Sequence, residues 1–299
     1  MQFSRILCAV DLSDASPAVI AQAAAMASWY GAATTVLHVA PTFDAMLVKP
    51  ARPAETVQVV YPVPREEVLR ALERAVEAAG PAGWKPELAV AEGDPAERLV
   101  EETLARGADL LVLGTHGRRG FDRLLLGSVT ERVIRRASCP ALTVPAHAAV
   151  RAAPFGTIVC PVDFSEASLH ALGFALALAR KAGGRLVVLH VVEWLPDIEP
   201  HTHEHFEVPE FRRYLMDTAA ARLGALLADE TTDGCAVEAQ VAAGRAYAEI
   251  LRVADAASAD LLVLGAHGRS GLHRSVFGST TASVLRSAGC PVLTVRAPA

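Results

Sequence analysis

Short unbroken apolar runs alternate with longer segments in which apolar residues recur every three or four positions. In the first half the runs fall at 6–10, 35–39, 88–90, 110–113 and 142–144. A continuous run of this length is the signature of a parallel strand covered on both faces. Between runs, Val68, Leu69, Leu72, Val76 and Ala79 line one face of a helix predicted over 66–79, with Gly80 ending it. Ser13 is placed to cap an alanine-rich helix that reaches Tyr30 and stops at Gly31. Asp94-Pro95-Ala96-Glu97 is a helix start, with Asp94 as cap and Pro95 at the first helical position. A further helix begins near Ser128. Strands alternating with helices imply right-handed crossovers and an α/β, doubly wound parallel sheet with helices on both faces.

The whole pattern occurs twice. Segment 108–145 aligns without gaps to segment 259–296, with 23 of 38 positions identical at an offset of 265 − 114 = 151. Near the start of each half, Cys8-Ala9-Val10-Asp11-Leu12-Ser13 matches Cys160-Pro161-Val162-Asp163-Phe164-Ser165, and Leu37-His38-Val39 matches Leu189-His190-Val191. So long a period means two tandem domains rather than a solenoid. The expected domains are 1–147 and 154–299, each large enough for its own core. The seam falls in the small-residue stretch 146–154.

The glycines carry the candidate chemistry. Gly114-Thr115-His116-Gly117, nine residues, then Gly127-Ser128 recurs as Gly265-Ala266-His267-Gly268, nine residues, then Gly278-Ser279. Each copy follows an apolar run, so each loop leaves the carboxyl end of a strand, where open α/β sheets bind ligands. Gly114, Gly117, Gly265 and Gly268 are expected to permit positive φ and close approach of a ligand. Gly127 and Gly278 lead into helices whose first amides, at Ser128, Val129 and Thr130 and at Ser279, Thr280 and Thr281, suit an anion. The Ser128 and Thr130 hydroxyls can add bonds to phosphate or reach a bound metal. Asp11 and Asp163 close the first strand of each half. Ionised, they accept hydrogen bonds from ribose hydroxyls or an adenine amine, or else they cap the helix that follows. Arg118, Arg123, Arg269 and Arg274 either clamp phosphates or are ordinary surface arginines. His116 and His267 are expected to shape the turn, the alternative being proton transfer.

These residues resemble a known family. Gly-x2-Gly-x9-Gly-Ser, with an aspartate closing the first strand and Cys-Pro before the last, is similar to the universal stress protein pattern, and the likeness covers nearly the whole chain as two domains in tandem. The resemblance implies a flavodoxin-like, five-stranded sheet in each domain. It also implies ATP, with magnesium, held in the crevice where Asp11 meets the glycine loop. The two domains are then expected to pack about a pseudo-two-fold axis, through 141–144 and 292–295.

Composition removes several alternatives. A net charge of −5 argues against nucleic acid as the main partner, since phosphate backbones demand a basic face. No apolar run approaches the ~20 residues that span a bilayer. The first strand begins so early that no signal peptide is expected. Cys8 pairs with Cys160, and Cys139 with Cys290, by repeat position; these read as small apolar residues and not disulfide partners, which points to the cytoplasm. Neither half contains Gly-x4-Gly-Lys-Ser/Thr or Gly-x-Gly-x2-Gly.

One segment breaks the symmetry. His201, His203 and His205 alternate along an extended stretch and share a face, so they are either a solvated polar loop or a zinc site. The expectation is an ATP-binding, regulatory stress-response protein with slow or no hydrolysis, its partner an adenine nucleotide. The rivals are a scaffold that binds no nucleotide and a weak ATPase or metal-dependent hydrolase using the histidines. Homodimerisation is left open.

Overall fold

The computed structural model describes residues 2–40, 63–115, 126–146, 154–193, 208–228, 234–266 and 278–297. The first half runs β1 (Arg5–Ala9), α1 (Ser16–Tyr30), β2 (Ala33–Ala40), α2 (Arg65–Ala79), β3 (Glu87–Glu92), α3 (Pro95–Ala105), β4 (Leu110–Gly114), α4 (Ser128–Arg136) and β5 (Ala141–Val144). The second runs β6 (Thr157–Pro161), α5 (Glu166–Ala182), β7 (Arg185–Val192), α6 (Val208–Ala228), β8 (Ala236–Ala243), α7 (Ala246–Ala256), β9 (Leu261–Gly265), α8 (Ser279–Ser287) and β10 (Val292–Val295).

Within each half all strand pairs are parallel, and the order reverses between the first strand and the fourth. The halves then fuse. Strand β5 pairs antiparallel with β10, giving one ten-stranded sheet in the order β3-β2-β1-β4-β5-β10-β9-β6-β7-β8. These are two tandem flavodoxin-like domains, each a doubly wound sheet, related by a pseudo-two-fold at the β5–β10 junction. Thr143 Oγ1 donates to the Val292 carbonyl, and Thr294 Oγ1 to that of Ala141, both at 3.1 Å. The two bonds are exchanged by the pseudo-symmetry, and both threonines are buried.

Alternation along the strands sends side chains to two cores. One face packs Ile6, Cys8 and Val10 with Ile158, Cys160 and Val162 beneath α1, α2, α5 and α6. The other packs Leu7, Leu111, Val159 and Leu262 beneath α3, α4, α7 and α8. Each core runs across both lobes. Trp29 of α1 meets Phe155 of the second lobe edge to face at 5.9 Å, and Lys181 of α5 lies 4.8 Å from the Tyr30 ring centre.

Local signals account for most boundaries. Asp94 Oδ1 accepts from the Ala96 and Glu97 amides, so it caps α3 as its position before Pro95 requires. Gly31 ends α1 at φ 65°, where a Cβ would be strained. Ser13 does not cap α1, and here the expectation is corrected. The helix begins three residues later, behind Ala15, with no side-chain cap. Its counterpart Ser165 does cap α5, accepting from the Ser168 amide at 3.3 Å, while the Leu169 amide bonds the Ser165 carbonyl. The residue in the place of Leu169 is Pro17, which has no N–H to offer, so the helical bond anchored on Ser13 is not made.

Cys8, Cys160 and Cys290 are buried, and none of the five cysteines is in a disulfide. Burial pushes the Cys8 and Cys160 thiols far above their ordinary range, and the Cys139 thiol up to about 12.

Candidate functional site

Strand β1 lies beside β4, with Ala9 in register with Leu113, and β6 lies beside β9. The aspartate after the first strand and the loop after the fourth therefore leave the same end of the sheet, at the point where strand order reverses. In lobe one that end holds Asp11, Gly114, Gly127 and the start of α4. In lobe two it holds Asp163, Gly265, Gly278 and the start of α8. Gly117, Arg118, Arg123, Gly268, Arg269 and Arg274, together with His116 and His267, lie outside the described residues. His201, His203 and His205 do too. Among the described residues no three His, Cys, Asp or Glu side chains come together as metal ligands.

Each loop is closed at its neck. The Gly127 amide donates to the Thr115 carbonyl at 2.9 Å, and Gly278 to Ala266 at 3.4 Å. Thr130 Oγ1 donates to the Gly114 carbonyl at 2.7 Å, and Thr281 Oγ1 to the Gly265 carbonyl at 3.0 Å. These buried threonine hydroxyls tie a helix to a strand, each giving its one proton to a strand carbonyl. Ser128 and Ser279 are exposed at the first helical position. The N-cap residues, Gly127 and Gly278, have no side chain, so neither caps its own helix and the first-turn amides need other acceptors.

The positive φ expected of Gly114 and Gly265 is not used. Gly114 and Gly265 are extended strand residues, and Gly127 and Gly278 have φ −56° and −60°. None of the four uses the left-handed region. A Cβ on Gly265 would lie 2.9 Å from the Ala167 carbonyl carbon and 3.0 Å from the Ser168 nitrogen, so this glycine admits the backbone of α5 rather than a ligand.

The left-handed residues stand elsewhere. Leu12 has φ 58° and Phe164 φ 63°, each directly after the crevice aspartate. Such a conformation costs a side-chain-bearing residue about 1–3 kcal/mol and persists only where its surroundings impose it. It turns the chain so that Asp11 Oδ1 accepts from the Ser13 amide at 3.1 Å and from Ser16 Oγ at 3.3 Å. Asp163 Oδ1 likewise accepts from the Ser165 amide and from Ser165 Oγ, at 3.0 and 2.5 Å. The carboxylates thus organise their own turn at this end of the sheet. Leucine and phenylalanine carry no αL preference, so residue type alone gave no sign of this turn.

His38 and His190 form a second pair with no assigned role in the sequence. His38 Nδ1 lies 2.9 Å from the Val10 carbonyl, and His190 Nδ1 2.6 Å from that of Val162. A carbonyl only accepts, so each Nδ1 carries a proton. Each imidazole thereby fixes the peptide that presents the aspartate. Their recurrence at one repeat position was the available signal. The lobes then differ: in the second, the Phe164 ring stacks at 4.7 Å on His190 and lies 3.9 Å beneath the Arg222 guanidinium, whereas Leu12 offers no ring.

The sequence profile described as the universal stress protein family matches residues 2–145 and again 154–296. The chain belongs to the universal stress protein family. A universal stress protein of Mycolicibacterium smegmatis is 30% identical over 297 residues, 97% of this chain and 96% of that protein. One from Mycobacterium tuberculosis is 30% identical over 203 residues, which are 68% of this chain and 66% of the relative's own length. The fold likeness is full-length as well: the crystal structure of a universal stress protein from Archaeoglobus fulgidus superposes over 100% of both chains with a TM-score of 0.65 at 22% identity. Among the described residues no helix is long and apolar enough to cross a membrane.

Proposed function

We propose that this universal stress protein binds ATP, one molecule in each lobe, and uses the nucleotide as a conformational ligand in a cytoplasmic stress response. The observation that carries the reading is the adjacency of β1 and β4, which brings the acceptor side chain of Asp11 and the N-terminus of α4, behind Gly127, to the same end of the sheet. An acceptor suits the ribose or adenine end of a nucleotide, and a helix N-terminus suits its phosphates. Asp163 and α8 repeat the pairing. In this reading Gly114, Gly117, Arg118 and Gly127 with Ser128, Val129 and Thr130, and their counterparts Gly265, Gly268, Arg269, Gly278, Ser279, Thr280 and Thr281, frame the two crevices. Thr130 and Thr281 take part through their backbone. The exposed Ser128 hydroxyl at the start of α4 would be the protein's oxygen donor to a magnesium ion carried by the nucleotide, which would offset the phosphate charge.

Hydrolysis is slow or absent in this reading. Phosphoryl transfer needs groups that position the attacking water and stabilise charge, and neither repeat has a P-loop lysine. Calorimetric titration with ATP, run beside a phosphate-release assay, tests the proposal. Saturable binding with turnover far below ~1 per second supports it. Turnover at ~1–100 per second would make the protein an enzyme and overturn it.

A further inference from the structure

Helix α4 is held at both ends, and the second hold comes from the other lobe. Arg296, directly after β10, donates through Nη1 to the Arg135 carbonyl at 2.8 Å and to the Ala137 carbonyl at 3.4 Å. These are orphan acceptors at the end of α4 that no further helical turn would meet. The helix's own Arg135 is turned back on Glu131, 2.5 Å away. The position equivalent to Arg296 in the first lobe is 296 − 151 = 145, and Pro145 has neither an N–H nor a side-chain donor. Nothing from that position can hold α8 in return. In the last turn of α8, Arg286 bonds Ser283 of the same helix.

We propose that Arg296 is a positioning residue for the first crevice, so that the nucleotide affinity of lobe one depends on a side chain of lobe two, while no side chain at the equivalent position 145 does the same for α8. The inference rests on the reading that the N-terminus of α4 receives the triphosphate. A cation at a helix C-terminus offsets the negative pole of the helix and fixes its axis, which leaves the first-turn amides aimed at the crevice. Lobe two thereby has a lever on lobe one through a single side chain.

The test uses the full chain in two backgrounds. In Gly268→Val, expected to silence lobe two, ATP titration reports lobe one; in Gly117→Val it reports lobe two. Arg296→Ala is expected to weaken lobe-one binding about two- to fivefold. Arg296→Lys should restore most of that loss, and the gap between Ala and Arg should narrow as salt is raised. Lobe-two binding should not move. Three results overturn the inference: unchanged lobe-one affinity in Arg296→Ala, equal weakening in both lobes, or no recovery with lysine. If the wild type binds ATP and Arg296→Ala is silent, only this inference fails. If the wild type binds no nucleotide, the reading of the site fails and takes the inference with it.

Discussion

Leu142 lies opposite Leu293, its own counterpart one repeat later, at the centre of the antiparallel β5–β10 ladder. The pseudo-two-fold therefore passes between two equivalent leucines, 1% and 2% exposed, in a core shared by both lobes. Truncating either one empties space that both lobes line.

The first prediction is that the chain unfolds as one unit. Leu142→Ala should cost about 2–5 kcal/mol, as buried leucine truncations do. Amides of β1 and β6 should lose protection together in urea, as followed by hydrogen exchange. Two separated transitions, with β6 indifferent to Leu142→Ala, would show that the lobes fold independently.

Acid sensitivity should trace to carboxylates on the α3 side of lobe one. Partial burial of Asp94 favours its protonated form, but bonds from the Glu97 amide, Arg132 and the Ala96 amide outweigh this and hold its carboxyl below the usual range. The hydrogen bond from Arg106 does the same for Glu87. A folded-state value below the unfolded one means that the stabilisation is complete above about pH 5 and is lost as pH falls through the folded value. Asp94→Asn keeps the cap, so at pH 7 it should cost less than Asp94→Ala, which should lose about 1 kcal/mol. Urea midpoints at pH 7 and pH 3 check both statements: the asparagine variant should lose less on acidification than the wild type.

Much of this was legible in the sequence, because the signals concerned were local. Continuous apolar runs marked the strands, Asp94-Pro95 marked α3, and Gly31 marked the end of α1. The family resemblance made a symmetric junction of last strands the expectation, and the β5–β10 pairing meets it. What escaped depended on partners outside each local motif. Ser13 looked like a cap until Pro17 removed the amide that would have completed the first turn. Thr130 looked like a phosphate donor because the Gly114 carbonyl, 16 residues earlier, could not be seen to claim its hydroxyl. Gly265 looked like ligand space although the backbone of α5 fills it.

The left-handed turn after each aspartate should respond to side-chain shape. Leu12→Val places a β-branched residue at φ 58° and should cost about 1–3 kcal/mol. Leu12→Gly should cost less than the valine change, since relief of strain offsets the lost contact. Thermal melts of both variants decide the matter: equal destabilisation would mean that packing and not backbone strain sets the turn.

Thiol chemistry should follow burial. Cys8 and Cys160 are fully buried with thiols pushed far up, so neither should react with a thiol reagent in the native protein. Labelling of both should appear together as urea passes the unfolding midpoint. Rapid native labelling of either would contradict the two-core packing.

The most direct measurement is the stoichiometry of ATP binding to the wild type, Gly117→Val, Gly268→Val and the double variant, each checked for an unchanged fold by circular dichroism. Two sites per chain in the wild type, one in each single variant and none in the double variant is the predicted result. The same stoichiometry in all four, or no binding to the wild type, would contradict the assignment of the two crevices.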